Sequence, residues 1–194
     1  MMLSVNLAIQ IAVTVPPKLQ LVGTAQEVEE ESLPTTDAAL YRRYAPYVAR
    51  IGFRLLGRED EVDDLIQDVF LVAFKQRDQL RDPKALKGWL ATITVRTARR
   101  KLRVRRMRMM VGLDSPQALS LTQPGASPEQ EAMLGHIYAL LDQVGVERRL
   151  AWTLRHVEGE RLDRVAERCG CSLATVKRRI AAAEAFLNAE LNDD

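Results

Sequence analysis

The side chains able to do chemistry in this sequence are mostly cations, and they gather in two crowds. Lys84, Lys87, Arg96, Arg99, Arg100, Lys101, Arg103, Arg105, Arg106 and Arg108 form the first, with Trp89 among them. Lys177, Arg178 and Arg179 form the second, just behind Ser172 and Thr175. Cations at this density attract phosphates, and each phosphate they neutralise makes binding more salt-dependent. A tryptophan beside arginines adds a stacking surface for unpaired bases, although the same residue also reads as ordinary core. A third group is acidic: Asp64, Gln67 and Asp68 surround Leu71. An apolar anchor ringed by polar groups suits a protein interface, and the plainer reading is a solubilising face.

Other chemistry has little to rest on. His156, Cys169 and Cys171 are candidate zinc ligands, but C-x-C at a helix end matches no common tetrahedral site. Two cysteines one residue apart close no useful loop, which argues for buried thiols in a reducing compartment, the cytoplasm. No nucleophile stands beside a base, and no glycine-rich loop is placed to cradle phosphate. The expectation is a protein without catalysis, cofactor or metal.

The elements that position these groups read as helices throughout. Breaks at Gly57 and at Arg81-Asp82-Pro83 leave helices near 38–56, 60–77 and 84–106. Residues 107–128 carry Gly112, Pro116, Pro124, Gly125 and Pro128 and read as a flexible linker. Helical pattern resumes near 129–143, 147–157, 161–169 and 173–190. Within the second helix Val62, Leu65, Val69 and Ala73 make the buried stripe, with Asp64, Gln67, Asp68, Leu71 and Lys75 opposite. In the third, Ala91, Val95, Ala98 and Leu102 pack, while Trp89, Ile93, Arg96, Arg100 and Arg103 share the other side.

Near the C-terminus, LDRVAERCGCSLATVKRRI has the spacing of a helix-turn-helix. Gly170 supplies the left-handed turn, Ala166 the close approach and Ser172 the N-cap. Leu173, Val176, Ile180, Ala183 and Leu187 face the core; Thr175, Arg178, Arg179 and Ala182 face away, with Lys177 at the flank. Such a face enters a DNA major groove, or else is merely solvated.

The totals agree without deciding. A chain of 194 residues, 47% hydrophobic, holds one ordinary core or two small ones. Charged residues make up 28%, yet the net charge is only +2, so attraction to nucleic acid depends on where the cations sit. The opening MMLSVNLAIQIAVTV has no preceding cation and stops at Pro16-Pro17, short of the roughly 18 apolar residues of a membrane span. It is read as neither signal peptide nor anchor, and residues 1–36, ending in Glu27, Glu29, Glu30 and Glu31, as a flexible tail.

LYRRYAPYVARIGFRLLG, DDLIQDVFLVAF and LKGWLATITVRTARRKL resemble region 2 of the extracytoplasmic-function (ECF) sigma factors of the sigma-70 family. LDRVAERCGCSLATVKRRI resembles the helix-turn-helix of their region 4. The resemblance implies an all-α fold of two small helical domains, region 2 over 37–106 and region 4 over 129–194. It implies a non-enzymatic factor that brings RNA polymerase core to promoters. Asp64, Gln67, Asp68, Phe70 and Leu71 would dock the clamp of the largest polymerase subunit. Lys84, Lys87, Trp89, Arg96, Arg99, Arg100 and Arg103 would read the −10 element as a single strand. Ser172, Thr175, Lys177, Arg178 and Arg179 would read the −35 duplex, with region 4 near the flap of the second-largest subunit. An anti-sigma factor is the further partner implied, with no membrane insertion.

Departures from the family pattern bear on specificity. Arg96 stands where asparagine is frequent, and Ala181-Ala182-Ala183-Glu184 replaces a basic run after the recognition segment. The main alternative is a free-standing helix-turn-helix regulator, which would leave Asp64, Gln67 and Asp68 without a role.

Overall fold

Thr36 starts the first helix: its Oγ1 accepts from the Ala39 amide at 3.1 Å, and Asp37 sits at the positive end of the helix dipole. This helix, α1 (Asp37–Leu56), stops at Gly57, whose φ of 66° is the left-handed conformation that glycine adopts without strain. α2 (Val62–Lys75) follows, then 3₁₀ turns at Arg77–Gln79 and Pro83–Ala85, then α3 (Leu86–Met110). The rest comprises α4 (Pro128–Val144), α5 (Val146–His156), α6 (Leu162–Cys169) and α7 (Leu173–Asn192). The computed structural model describes residues 36–80, 82–113 and 127–192, and every regular element among them is helical. Residues 1–35 and 114–126, on which the tail and most of the linker were expected, lie outside the described residues.

Two helical units result, α1–α3 and α4–α7. In the first, Val62, Leu65, Val69 and Ala73 of α2 meet Ala91, Val95, Ala98 and Leu102 of α3 in the buried core, as their periodicity predicts. A Cβ at Gly52 would lie 2.3 Å from Leu65 Cδ2, so α1 and α2 approach closely there. In the second unit Trp152, fully buried, packs with Val176, Ala183 and Leu187.

Four expectations need correction. Ile93, expected outside, is 5% exposed, and Arg105, expected among the phosphate-facing cations, is 4% exposed. The cause is that α3 is packed on two flanks, by α1 and α2 on one and by α5 and α6 on the other, so it has no single wet side. Leu173, expected in the core, is 44% exposed because it stands in the first turn of α7. Finally, α3 runs on through Met107–Met110, since no breaker occurs before Gly112 at φ 69°.

The two units share a polar seam built on the C-terminus of α1. Its last carbonyls have no partner within the helix. Here Tyr138 Oη donates to Arg54 O at 3.1 Å, and Arg149 donates from Nε to Leu55 O at 3.0 Å and from Nη2 to Leu56 O at 2.7 Å. Arg105 Nη1 joins them on Leu56 O at 3.0 Å. Asp142 pairs with Arg149 and, at 3.3 Å, with Arg105, whose other contact is Glu61 at 2.6 Å. Glu158 receives Arg50 at 3.3 Å and Arg54 at 3.1 Å. Burial pushes the Tyr138 phenol up to about 12, which keeps it a donor, and draws Arg149 below its ordinary value while Asp142 supports its charge.

Replacing Arg149 by alanine leaves Leu55 O without its side-chain donor and leaves Asp142 and Leu56 O with Arg105 alone. Urea denaturation of Arg149→Ala should show a loss of about 3–5 kcal/mol, the range for breaking a buried ion pair from one side.

Candidate polymerase and nucleic-acid interfaces

The outward face of α2 comes first in the chain. Asp63 and Asp64 lie in its first turn, where carboxylates suit the helix dipole. Asp64 and Gln67 are exposed, and Leu71 is 57% exposed between them and Lys75. Asp68 is half-buried and held by α3: Arg100 Nη2 lies 3.0 Å and Lys101 Nζ 3.4 Å from its Oδ2. Phe70 is not on this surface. It is 2% exposed, its ring 4.8 Å from that of Tyr41 and 5.7 Å from that of Phe74, so it supports the face from beneath.

The basic face of α3 is less free than its sequence suggests. Arg96 is exposed and meets no carboxylate among the described residues, and Lys84 and Lys87 are exposed near the helix start. Asp82 Oδ1 accepts from the Lys84 amide at 2.9 Å, and Tyr47 Oη donates to Lys87 O at 3.3 Å, which fixes the entry to α3. Trp89 is half-buried: it packs against the core and also borders a groove. That groove, about 660 Å³, also takes in Lys84, Arg96 and, from α6, Arg164 and Arg168. Arg168 crosses the seam, donating to Gly88 O at 3.0 Å while Glu160 holds it at 2.5 Å.

Arg99, Arg100 and Arg103 are each engaged. Arg100 holds Asp68, Arg99 donates to Cys169 O at 2.8 Å, and Arg99 and Arg103 both reach Glu147 Oε1, at 3.3 and 2.7 Å. Sequence reasoning missed Glu147, Asp142, Arg149 and Glu158. The available signal was a charged residue, Arg149, set against the apolar run Leu150, Ala151 and Trp152.

The helix-turn-helix forms as its residues dictate. Gly170 has φ 62°; its amide donates to Glu167 O and that of Cys171 to Ala166 O, the paired bonds of a Schellman turn. Ser172 Oγ accepts from the Thr175 amide at 3.2 Å and lies 3.0 Å from Thr175 Oγ1, so both hydroxyls are committed to the cap. Lys177 and Arg178 are exposed on α7. Arg179 is half-buried, its Nη1 3.2 Å from Glu147 Oε2 and 3.3 Å from Cys171 Sγ. At 3.6 residues per turn it lies about 80° from the centre of the buried stripe, beside the core and not opposite it.

The candidate zinc ligands separate. His156 Nε2 meets Glu184 Oε1 at 2.9 Å, and among the described residues no three His, Cys, Asp or Glu side chains gather as a metal site. Burial holds the imidazole below its ordinary value, with Glu184 opposing in part.

With this geometry in hand, comparison with known proteins is informative. Residues 40–108 match Sigma-70 region 2, and residues 134–187 match Sigma-70 region 4, in that order. The ECF RNA polymerase sigma factor EcfG of Rhodopseudomonas palustris is 31% identical over 150 residues, covering 77% of this chain and 81% of that protein. The chain belongs to the ECF sigma factors of the sigma-70 family. The ECF sigma-E factor of Escherichia coli K12 is 28% identical over 71% of this chain and 77% of its own length. In fold it is similar to the sigma factor RpoE of Bartonella quintana, solved with the anti-sigma factor NepR, at a TM-score of 0.62 and 22% identity over 80% of this chain and 96% of that one. CnrH, solved with the cytosolic domain of CnrY, gives 0.57 and 21% over 97% of both chains.

This sigma factor directs RNA polymerase to promoters; it is a transcription initiation factor and not an enzyme. None of its described helices is long and apolar enough to cross a membrane. Its two thiols should differ in reactivity, because burial pushes Cys169 up to about 11 while Cys171 is only half-buried. Mass spectrometry after brief iodoacetamide treatment at neutral pH should find Cys171 carbamidomethylated well before Cys169.

Proposed function

We propose that three surfaces of this sigma factor divide its work. The carboxylate-edged face of α2, with Asp64, Gln67, Asp68 and Leu71, docks the clamp of the largest polymerase subunit, and Phe70 backs it. Lys84, Lys87, Trp89 and Arg96, joined by Arg99, Arg100 and Arg103, capture the −10 strand. Lys177, Arg178 and Arg179 meet the −35 duplex, and Ser172 and Thr175 set the start of the helix that carries them. The working domains are residues 37–106 and 129–194, joined by a linker that begins after the end of α3 at Met110 and runs toward the RNA exit path, with 1–36 as tail. The site of action is the cytoplasm, and the regulon answers a stress or external signal. An anti-sigma factor is the natural antagonist, since the structurally similar RpoE and CnrH were each solved with such a partner or a partner's cytosolic domain.

The observation that carries this reading is Leu71, a leucine 57% exposed on a helix whose other large apolar residues are mostly buried, with Asp64 and Gln67 beside it. Such a residue is an anchor waiting for a partner. Leu71→Asp should leave the fold intact and cut run-off transcription with core polymerase by about tenfold or more, the scale of losing one interface hot spot. Asp64→Ala with Asp68→Ala should weaken core-enzyme pull-down as well. Wild-type activity in Leu71→Asp would remove this face from the interface.

A further inference from the structure

Most of the exposed large apolar side chains among the described residues lie in one short run at the end of α3. Val104, Met107 and Met110 are exposed on the helix, and Val111 and Leu113 follow just past it; Met110 and Leu113 are 81% and 80% exposed. At 3.6 residues per turn, positions 104, 107 and 111 fall on one side of the helix with Met110 beside them, and Arg106 and Arg108 stand about 100° to either side of Met107. Arg106 flanks the stripe toward Gly145, where a Cβ would lie 3.0 Å from its Nη1, and Arg108 flanks it toward α2. From Arg106 to Leu113 every residue except Met109 is exposed, so this tip stands clear of the core. We propose that the tip of α3 seats on an anionic phospholipid surface, its apolar stripe at the headgroup boundary and its arginines on the headgroup phosphates.

The mixture of groups selects the partner. The phosphates of a nucleic acid would use the arginines but leave the apolar side chains in water, whereas the boundary between headgroups and acyl chains takes both. Arginine stems lie along apolar surface while their guanidinium groups reach outward, and methionine adapts its shape to an irregular contact. Charge agrees: no carboxylate occurs between Asp82 and Asp114 in the sequence, and cations clustered beside an apolar helix face draw anionic headgroups. The carboxylates nearest the tip belong to the start of α2. Glu61 is held by Arg105 and Arg58, Asp68 by Arg100 and Lys101, and Asp60 and Asp64 share a depression with Val104 and Arg108. Because Glu61 meets Arg105, these acids are set back from Met110 by roughly 7 Å along the helix, at 1.5 Å per residue. Arg100 and Arg103 share the outward side of α3 with the stripe, so a bilayer and the −10 strand proposed above would exclude each other. A factor held on lipid is thereby withheld from promoters.

The test sediments the full chain with vesicles of phosphatidylcholine alone and of phosphatidylcholine mixed with phosphatidylglycerol. Wild type should pellet with the mixed vesicles only. Met107→Gln with Met110→Gln, which keeps the charge and whose helicity circular dichroism checks, should partition about tenfold less, the factor for losing the burial of roughly one large apolar side chain. Excess glycerol phosphate at the same ionic strength should not release the wild type. Failure of the wild type to pellet with the mixed vesicles overturns the seat. Equal partition of the double variant also overturns it, because charge alone would then suffice, and release by glycerol phosphate overturns it by reducing the tip to a site for small anions. Two further readouts cover the other occupants. Light scattering on a sizing column should find a monomer, and a dimer abolished in the double variant would assign the stripe to a second copy instead. Run-off transcription without vesicles should be the same for wild type and double variant, and its loss in the variant would assign the stripe to polymerase instead. Absence of stimulation by the wild type sinks the polymerase reading and leaves the vesicle result standing.

Discussion

The structure turns on a helix end that cannot satisfy itself. The last carbonyls of α1 point out of the first unit, and the second unit supplies their donors through Tyr138 and Arg149. Arg149 can be buried there only because Asp142 holds its charge, and Asp142 in turn steadies Arg105. A cation with several good partners and a counter-charge is tolerable in a dry seam; the same cation missing one partner is not. The relative placement of the two units thus depends on one guanidinium more than on any apolar pair.

That seam explains why the net charge of +2 says so little. The arginines that look like a phosphate-binding row in one dimension meet carboxylates in three: Asp68 takes Arg100, Glu147 takes Arg99 and Arg103, and Glu61 takes Arg105. Arg96, Lys177 and Arg178 are exposed without such company among the described residues, so an anion reaching them would displace no carboxylate.

Local signals were legible wherever one helix decides alone. Gly57, Gly170 and Ser172 mark their helix ends by side-chain chemistry and dihedral freedom, and each behaves as read. The stripe of α2 was equally plain because only one of its faces is packed. Ile93 and Arg105 were misread because the periodicity of α3 carries no trace of α5 and α6 on its second flank. Arg179 was misplaced for a related reason: it lies at the border of its stripe, where only Glu147, distant in sequence, shows which way the side chain turns. The acids of the seam were invisible for want of a rule that pairs Glu147 or Asp142 with cations dozens of residues away.

Gly57 ties these levels together. With φ at 66° it ends α1, and a Cβ there would stand 2.3 Å from Tyr138 Cδ1 and 2.7 Å from Cε1. A side chain at 57 would meet the ring face-on as well as straining the backbone, and removing the ring would free the space but leave Arg54 O without its donor. Neither position can drift by itself. A tolerated change at 57 therefore calls for a smaller group at 138, and that group must still offer Arg54 O a donor.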